Sequence, residues 1–182
     1  IGVLENGRKL YGIFPLRGKL RNTRDLKDAD AAKNEEITNI KRILGLREGV
    51  EYKDVNNLRY GRIMIMTDQD VDGTHIKGLI MNFLSKWPSL MKIEGFITSL
   101  LTPIVKVRRG KQVKNFYTLP EYEQWMDKTS NNHLWKAKYY KGLGTSTPSE
   151  AKEYFREFKI LKYHWDDNTD ARLDLAFNKD QA

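Results

Sequence analysis

Residues 65–78 read IMTDQDVDGTHIKG, with Asp68, Asp70 and Asp72 at alternating positions, then Gly73, Thr74 and His75. The stretch just before them, YGRIMIMT (60–67), holds the unbroken apolar run Ile63-Met64-Ile65-Met66 and predicts a strand buried on both faces of a parallel sheet. After them, Ile76, Leu79, Ile80, Phe83, Leu84 and Trp87 recur at helical spacing and predict an amphipathic helix that starts near Thr74 and stops before Pro88. A strand that delivers three carboxylates to a helix start is the arrangement by which open α/β sheets place ligands at strand carboxyl ends. Alternate residues of an extended chain point the same way, so Asp68 and Asp70 are expected to converge. Oxygen donors without Cys or His favour Mg²⁺, with Mn²⁺ or Ca²⁺ able to substitute; Mg²⁺ usually completes its shell with water and phosphate oxygens. One carboxylate is enough to cap a helix, and three exceed that need.

Two similar patterns fail on context. DQDVDG matches the first half of an EF-hand calcium loop, but the twelfth position is Leu79 where a bidentate Glu is required, and a strand precedes it instead of a helix. DVDGT (70–74) resembles the nucleophile motif of aspartyl phosphatases, with Asp166-Asp167 as an imitation of their late acidic pair; TDQ intervenes between strand and motif, and His75 stands where an apolar residue belongs.

The surrounding chain has 182 residues, is 40% hydrophobic and 31% charged, and therefore reads as folded rather than disordered. No apolar run reaches membrane-spanning length, and no membrane partner is expected. Cysteine is absent, which excludes disulfides and thiolate metal sites and favours a reducing compartment. Thirty-two Lys and Arg against 24 Asp and Glu leave a net charge of +8, which suits a polyanionic partner and equally well a solubilising surface. The first residue is Ile1, as expected of a piece of a longer protein.

Basic residues gather in FPLRGKLRNTR (14–24), where Arg17, Lys19, Arg21 and Arg24 surround Gly18 with Asn22 as an uncharged hydrogen-bonding group. Such a segment suits contact with a phosphate backbone. KAKYYKGLGT (136–145) adds Lys136, Lys138 and Lys141 on a strand entering a glycine loop, and TPSE (147–150) then has the pattern of a capping box with Pro148 at the first helical position. NEEITNIKRILGL (34–46) predicts a helix stopped by Gly45, PEYEQWM (120–126) a short helix, and VRRGK (107–111) a hairpin turn without an assigned role.

Four linked motifs, PLRGK (15–19), IMTDQDVDGTHIKGL (65–79), TPIVKV (102–107) and KYYKGLGTSTPSEAKEYF (138–155), together resemble the eukaryotic-type type IIA DNA topoisomerases, in the Toprim domain of their DNA-cleavage core. The resemblance implies a Toprim (Rossmann-like) α/β fold with a central, mainly parallel sheet flanked by helices. It places an N-terminally incomplete Toprim domain at 1–145 and a helical extension at 146–182 leading toward a winged-helix domain. It implies an ATP-dependent enzyme that breaks both strands of double-stranded DNA transiently, as a homodimer, in the nucleus. ATP would be used by a domain outside this chain. Asp68 and Asp70 match Mg²⁺ ligands, with Asp72 in support, while Arg17, Lys19, Asn22 and Lys141 match the DNA side of the site. The family's further glutamate lies upstream; Glu5 lacks its context, and none of the nine tyrosines matches the nucleophile, which belongs to the partner subunit's winged-helix domain. Another Toprim nuclease or primase, or a non-catalytic metal- or DNA-binding module, is the alternative. The Glu5-Asn6 pair departs from the shorter loop of a cellular nuclear enzyme and points to a divergent or viral lineage, for which a host-cell cytoplasm or nucleus is the corresponding location.

Overall fold

The structure is a computed structural model that describes residues 4, 6–140 and 146–181. In chain order its helices are α1 (Gly7–Leu10), α2 (Asp28–Ala31), α3 (Glu35–Leu44), α4 (Val71–Leu84), α5 (Pro88–Met91), α6 (Leu119–Lys128), α7 (Pro148–Glu157) and α8 (Thr169–Phe177). The strands are β1 (Ile63–Ile65), β2 (Ile97–Leu100), β3 (Val105–Arg109), β4 (Gln112–Phe116), β5 (Lys136–Tyr139) and β6 (Ile160–Lys162). Their order is mixed α/β, in two three-stranded sheets ordered β1-β2-β6 and β4-β3-β5.

The chain divides into two compact, sequence-interleaved units. One gathers Gly12–Met66, Thr74–Ser99 and the segment from Leu161 onward. Its core is built from Ile37, Leu79, Phe83, Leu84, Trp87, Leu90, Phe96 and Ile97, with Phe177, Tyr163 and Trp165 packed against it. Each such side chain removed from water contributes about 1.5–3 kcal/mol. Helix α3 starts where Asn34 Oδ1 accepts from the Ile37 N–H at 3.0 Å and stops at Gly45, whose φ of 79° is one that glycine adopts without a Cβ penalty. Trp87 lies beyond the end of α4, yet a turn carries it inward, where its ring meets Phe83 edge-on and its Nε1–H donates to Arg47 O at 2.8 Å.

The strand before the acidic stretch differs from expectation. β1 is three residues long, and only Ile65 is buried; Met66 is 40% exposed. β1 pairs in parallel with β2 and, among the described residues, has no second strand beside it, so part of its apolar run stays uncovered.

The other unit gathers the segment up to Tyr11, Thr67–Gly73 and Leu100–Ile160. Val105, Val107 and Phe116 form its core against Tyr122, Trp125 and Trp135. β3 and β4 form the expected antiparallel hairpin, turned at Gly110 with φ 57°. Helices α6 and α7 both begin with a complete capping box, Thr118 with Glu121 and Thr147 with Glu150.

Candidate functional site

The acidic loop is built around the start of α4. This helix begins at Val71, three residues before the expected start, so the extended chain does not continue through the cluster. Asp70 sits just before the helix, and its Oδ1 accepts from the Gly73 N–H at 2.7 Å. One of the three aspartates thus performs the helix-capping task. Asp72 lies in the first helical turn, where the peptide dipoles favour a carboxylate, and its direction follows the helix rather than the strand alternation. Asp68 is half-buried. Thr67 Oγ1 donates to Gly73 O at 3.3 Å, and Gln69 Nε2 donates to Leu100 O at 3.2 Å, tying the loop to the carboxyl end of β2.

Gly73 has a strict steric role. A Cβ placed there would lie 1.9 Å from Asp68 O, 2.9 Å from Asp68 C and 3.1 Å from Thr67 Oγ1. The glycine is what lets the Asp68 backbone close down on the first turn of α4. The donor set is oxygen-only and suits a hard cation. Among the described residues, however, no three His, Cys, Asp or Glu side chains form a ready ligand group. The loop fits part of a hard-cation site and falls short of a complete one.

The basic stretch is less uniform than its sequence suggests. Arg17, Lys19 and Arg21 are exposed, whereas Leu20 and Thr23 are buried and pin the segment down. Gly18, at φ 98°, supplies the bend between the first two cations. Lys19 Nζ lies 3.4 Å from His75 Nδ1. Asn22 is engaged inside the protein: its Nδ2 donates to Phe177 O at 2.7 Å, and its Oδ1 accepts from Asn82 Nδ2 at 2.9 Å and from the Arg24 N–H at 3.0 Å.

Arg24, which in sequence groups with the cations expected to contact phosphate, turns instead to α8. Its Nη1 meets Asp170 at 2.8 Å and its Nε meets Asp174 at 2.9 Å. The hydrogen bond from Asp170 first, and that from Asp174 after it, raise the guanidinium pKa despite partial burial, and Arg24 in turn lowers that of Asp174. The same helix brings Phe177 against His75, with ring centroids 6.3 Å apart and planes at 16°. Gly78 leaves room for that ring, since a Cβ there would come within 2.7 Å of Phe177 Cζ. Asp170, Asp174 and Phe177 were missed by sequence reasoning; an acidic pair at i, i+4 on a late helix was their only signal.

Lys141 lies outside the described residues. Before it, Lys138 pairs with Glu150 at 2.9 Å, and the Tyr140 hydroxyl donates to the same carboxylate. Burial pushes the Glu150 carboxyl up, but the Thr147 N–H, Tyr140 and Lys138 outweigh it and hold the pKa at about 2. Burial, followed by the bond to Glu150, pushes the Tyr140 phenol up. Asp166, half of the pair that imitated a phosphatase, organises the turn into α8 by accepting from the Asn168 N–H and the Thr169 hydroxyl.

Residues 2–100 match the model of the Toprim domain. The chain belongs to the Toprim family. Residues 100–182 of this Toprim chain match the C-terminal associated domain of Toprim, so the two matched segments meet at Leu100. The Toprim chain is 50% identical over 182 residues to DNA topoisomerase 2 of Pisum sativum, covering 97% of this chain and 12% of that protein. It is 51% identical over 183 residues to DNA topoisomerase 2-alpha of Homo sapiens (96% and 12%) and 53% identical over 167 residues to DNA topoisomerase 2 of Acanthamoeba polyphaga mimivirus (88% and 13%). Among solved structures, the DNA-binding, cleavage and re-ligation domain of Plasmodium falciparum topoisomerase II superposes with a TM-score of 0.86 at 48% identity, over 92% of this chain and 24% of that one. The Toprim chain therefore spans only about an eighth of the length of these full-length relatives.

Proposed function

We propose that this chain is the metal- and DNA-binding Toprim part of an ATP-dependent type II DNA topoisomerase, which breaks and rejoins both strands of a duplex so that another can pass. The reading is carried by one observation: the Asp68-x-Asp70-x-Asp72-Gly73 loop between β1 and α4 sits in a chain about half identical, over nearly its whole length, to DNA topoisomerase 2. Asp68 and Asp70 would hold Mg²⁺, with Asp72 in support and the remaining ligands supplied by DNA and by a carboxylate outside the loop. When bound, Mg²⁺ supplies stabilisation of the negative charge that develops on a phosphate's leaving oxygen. The chain's own residues bind and orient. Arg17 and Lys19 face solvent on a segment anchored by Leu20 and Thr23, which suits them to fix the register of a phosphate backbone, and Lys141 is assigned to the same DNA side from its sequence context alone. Asn22 shapes that segment through Phe177 and Asn82 and so positions the exposed Arg21 beside it. The nucleophile is a tyrosine of a winged-helix domain outside this chain, supplied across a homodimer, and ATP is consumed by a further domain; the nucleus is the corresponding location.

The test is a titration of Mg²⁺ against the full-length protein with and without a nicked duplex. Asp68→Asn and Asp70→Asn are expected to abolish cleavage and the DNA-dependent gain in Mg²⁺ affinity while leaving duplex affinity within a few-fold. Cleavage at the wild-type rate in both variants would overturn the metal assignment. Tight Mg²⁺ or Ca²⁺ binding that DNA does not alter would favour a non-catalytic metal module.

A further inference from the structure

The β3–β4 hairpin and β5 carry a surface that the proposed reaction does not use. Residues directly opposite each other in neighbouring strands share a face, and successive residues alternate. By register, Val105, Phe116 and Tyr139 share one face with Val107, and this is the face on which Phe116 and Tyr139 meet Tyr122 of α6. The opposite face carries two rows. In the first, Lys106 and Lys138 are neutralised by α7, at 2.9 Å from Glu153 and 2.9 Å from Glu150. In the second, Val113, Arg108 and Lys136 lie side by side across the three strands, and all are exposed. The turn adds Arg109 and Lys111, also exposed, on either side of Gly110. Among the described residues, Arg108, Arg109, Lys111 and Lys136 make no ion pair or hydrogen bond through their side chains.

Arg108 and Lys136 are register partners, and like charges directly opposite each other destabilise a sheet. One row away the same repulsion is relieved by carboxylates of α7; here none of the described residues relieves it. A polyanion would. We propose that Arg108 and Lys136, with Arg109 and Lys111 at the turn, form a contact surface for the phosphate backbone of duplex DNA, separate in sequence from the acidic loop and from the 14–24 segment. The inference rests on the DNA-binding part of the proposed function. A protein partner fits less well, because the row offers one modest apolar side chain, Val113, and no aromatic anchor of the kind that dominates protein interfaces. Phosphates need only long, mobile cations without shape complementarity.

The experiment measures duplex affinity of the full-length protein between 50 and 200 mM salt for wild type, Arg108→Gln/Lys136→Gln and, as a second variant confined to the turn, Arg109→Gln/Lys111→Gln. Removing one phosphate-binding cation should flatten the slope of log affinity against log salt by about 0.9, so the wild-type advantage over either double variant should shrink by about twelvefold across that range. Unchanged slopes in both variants, with wild type binding duplex normally, would overturn this inference alone and leave the row to an acidic protein segment. Wild type without salt-dependent duplex affinity would overturn the DNA reading and this one together.

Discussion

Replacing Gly73 by Ala should damage the acidic loop although intrinsic helix preference argues for the opposite. Gly73 lies inside the first turn of α4, where Ala is favoured over Gly by about 1 kcal/mol. The added Cβ, however, would sit 1.9 Å from Asp68 O, and the next atoms in its way, Asp68 C at 2.9 Å and Thr67 Oγ1 at 3.1 Å, belong to the same strand-to-helix connection. Ordinary contact begins at 3.4 Å, so the two must part by about 1.5 Å, and what must move is backbone rather than the end of a flexible side chain. Either the Asp68 backbone shifts, taking its carboxylate with it, or the first turn of α4 opens and breaks the 2.7 Å bond from the Gly73 N–H to Asp70. Overpacking of this kind costs about 1–3 kcal/mol, which cancels or exceeds the propensity gain. If Asp68 holds Mg²⁺ as proposed, displacing its carboxylate by about 1 Å should cost about a hundredfold in rate. The assay is Mg²⁺-dependent duplex cleavage by the full-length protein, followed beside thermal unfolding. The expected result is a loss of about two orders of magnitude in cleavage with stability unchanged or lowered by up to about 2 kcal/mol. A variant with wild-type cleavage and a raised melting temperature would refute the reasoning, because propensity would then have won over the steric clash.

Two further outcomes rest on the same kind of geometry. Glu150→Gln should lower stability at pH 7 by about 1–2 kcal/mol through loss of charge-assisted hydrogen bonds. Because the wild-type carboxyl is held near 2 against an ordinary value of 4.5, its contribution is complete above 4.5 and is lost as the pH falls toward 2. Denaturant melts of the two proteins should therefore converge across that window, and a gap that widens on acidification would contradict the assignment. Arg24→Ala should cost about 1–3 kcal/mol and free α8 for cleavage by a protease in limited digests, and Lys at this position should restore little because one ammonium cannot span Asp170 and Asp174 as the guanidinium does. Digestion of the Ala variant at the wild-type rate would show that α8 is held without the Arg24 ion pairs.

What the sequence by itself determined is local. Asn34, Thr118 and Thr147 each announce a helix start through a side chain that bonds a backbone N–H three residues away, and Gly45 and Gly110 announce a stop and a turn through backbone angles that other residues avoid. The acidic loop was legible for the same reason, since strand, carboxylates and helix are contiguous in the chain. Even there the helix start was misplaced, because the Asp70 cap moves it forward to Val71. The tertiary structure alone decided which groups of the 14–24 segment are drawn into α8. Arg24 and Asn22 carry no sign of it in the sequence, yet Arg24 is bound by carboxylates 146 and 150 residues away and Asn22 by a carbonyl 155 residues away. It also decided that β1 is an edge strand among the described residues, which depends on where β2 and β6 pair and on nothing within β1. Caps and turns are satisfied by neighbours in the chain, whereas charges and strand edges are satisfied by whatever the fold brings to them; only the first kind of partner can be read from a window of sequence.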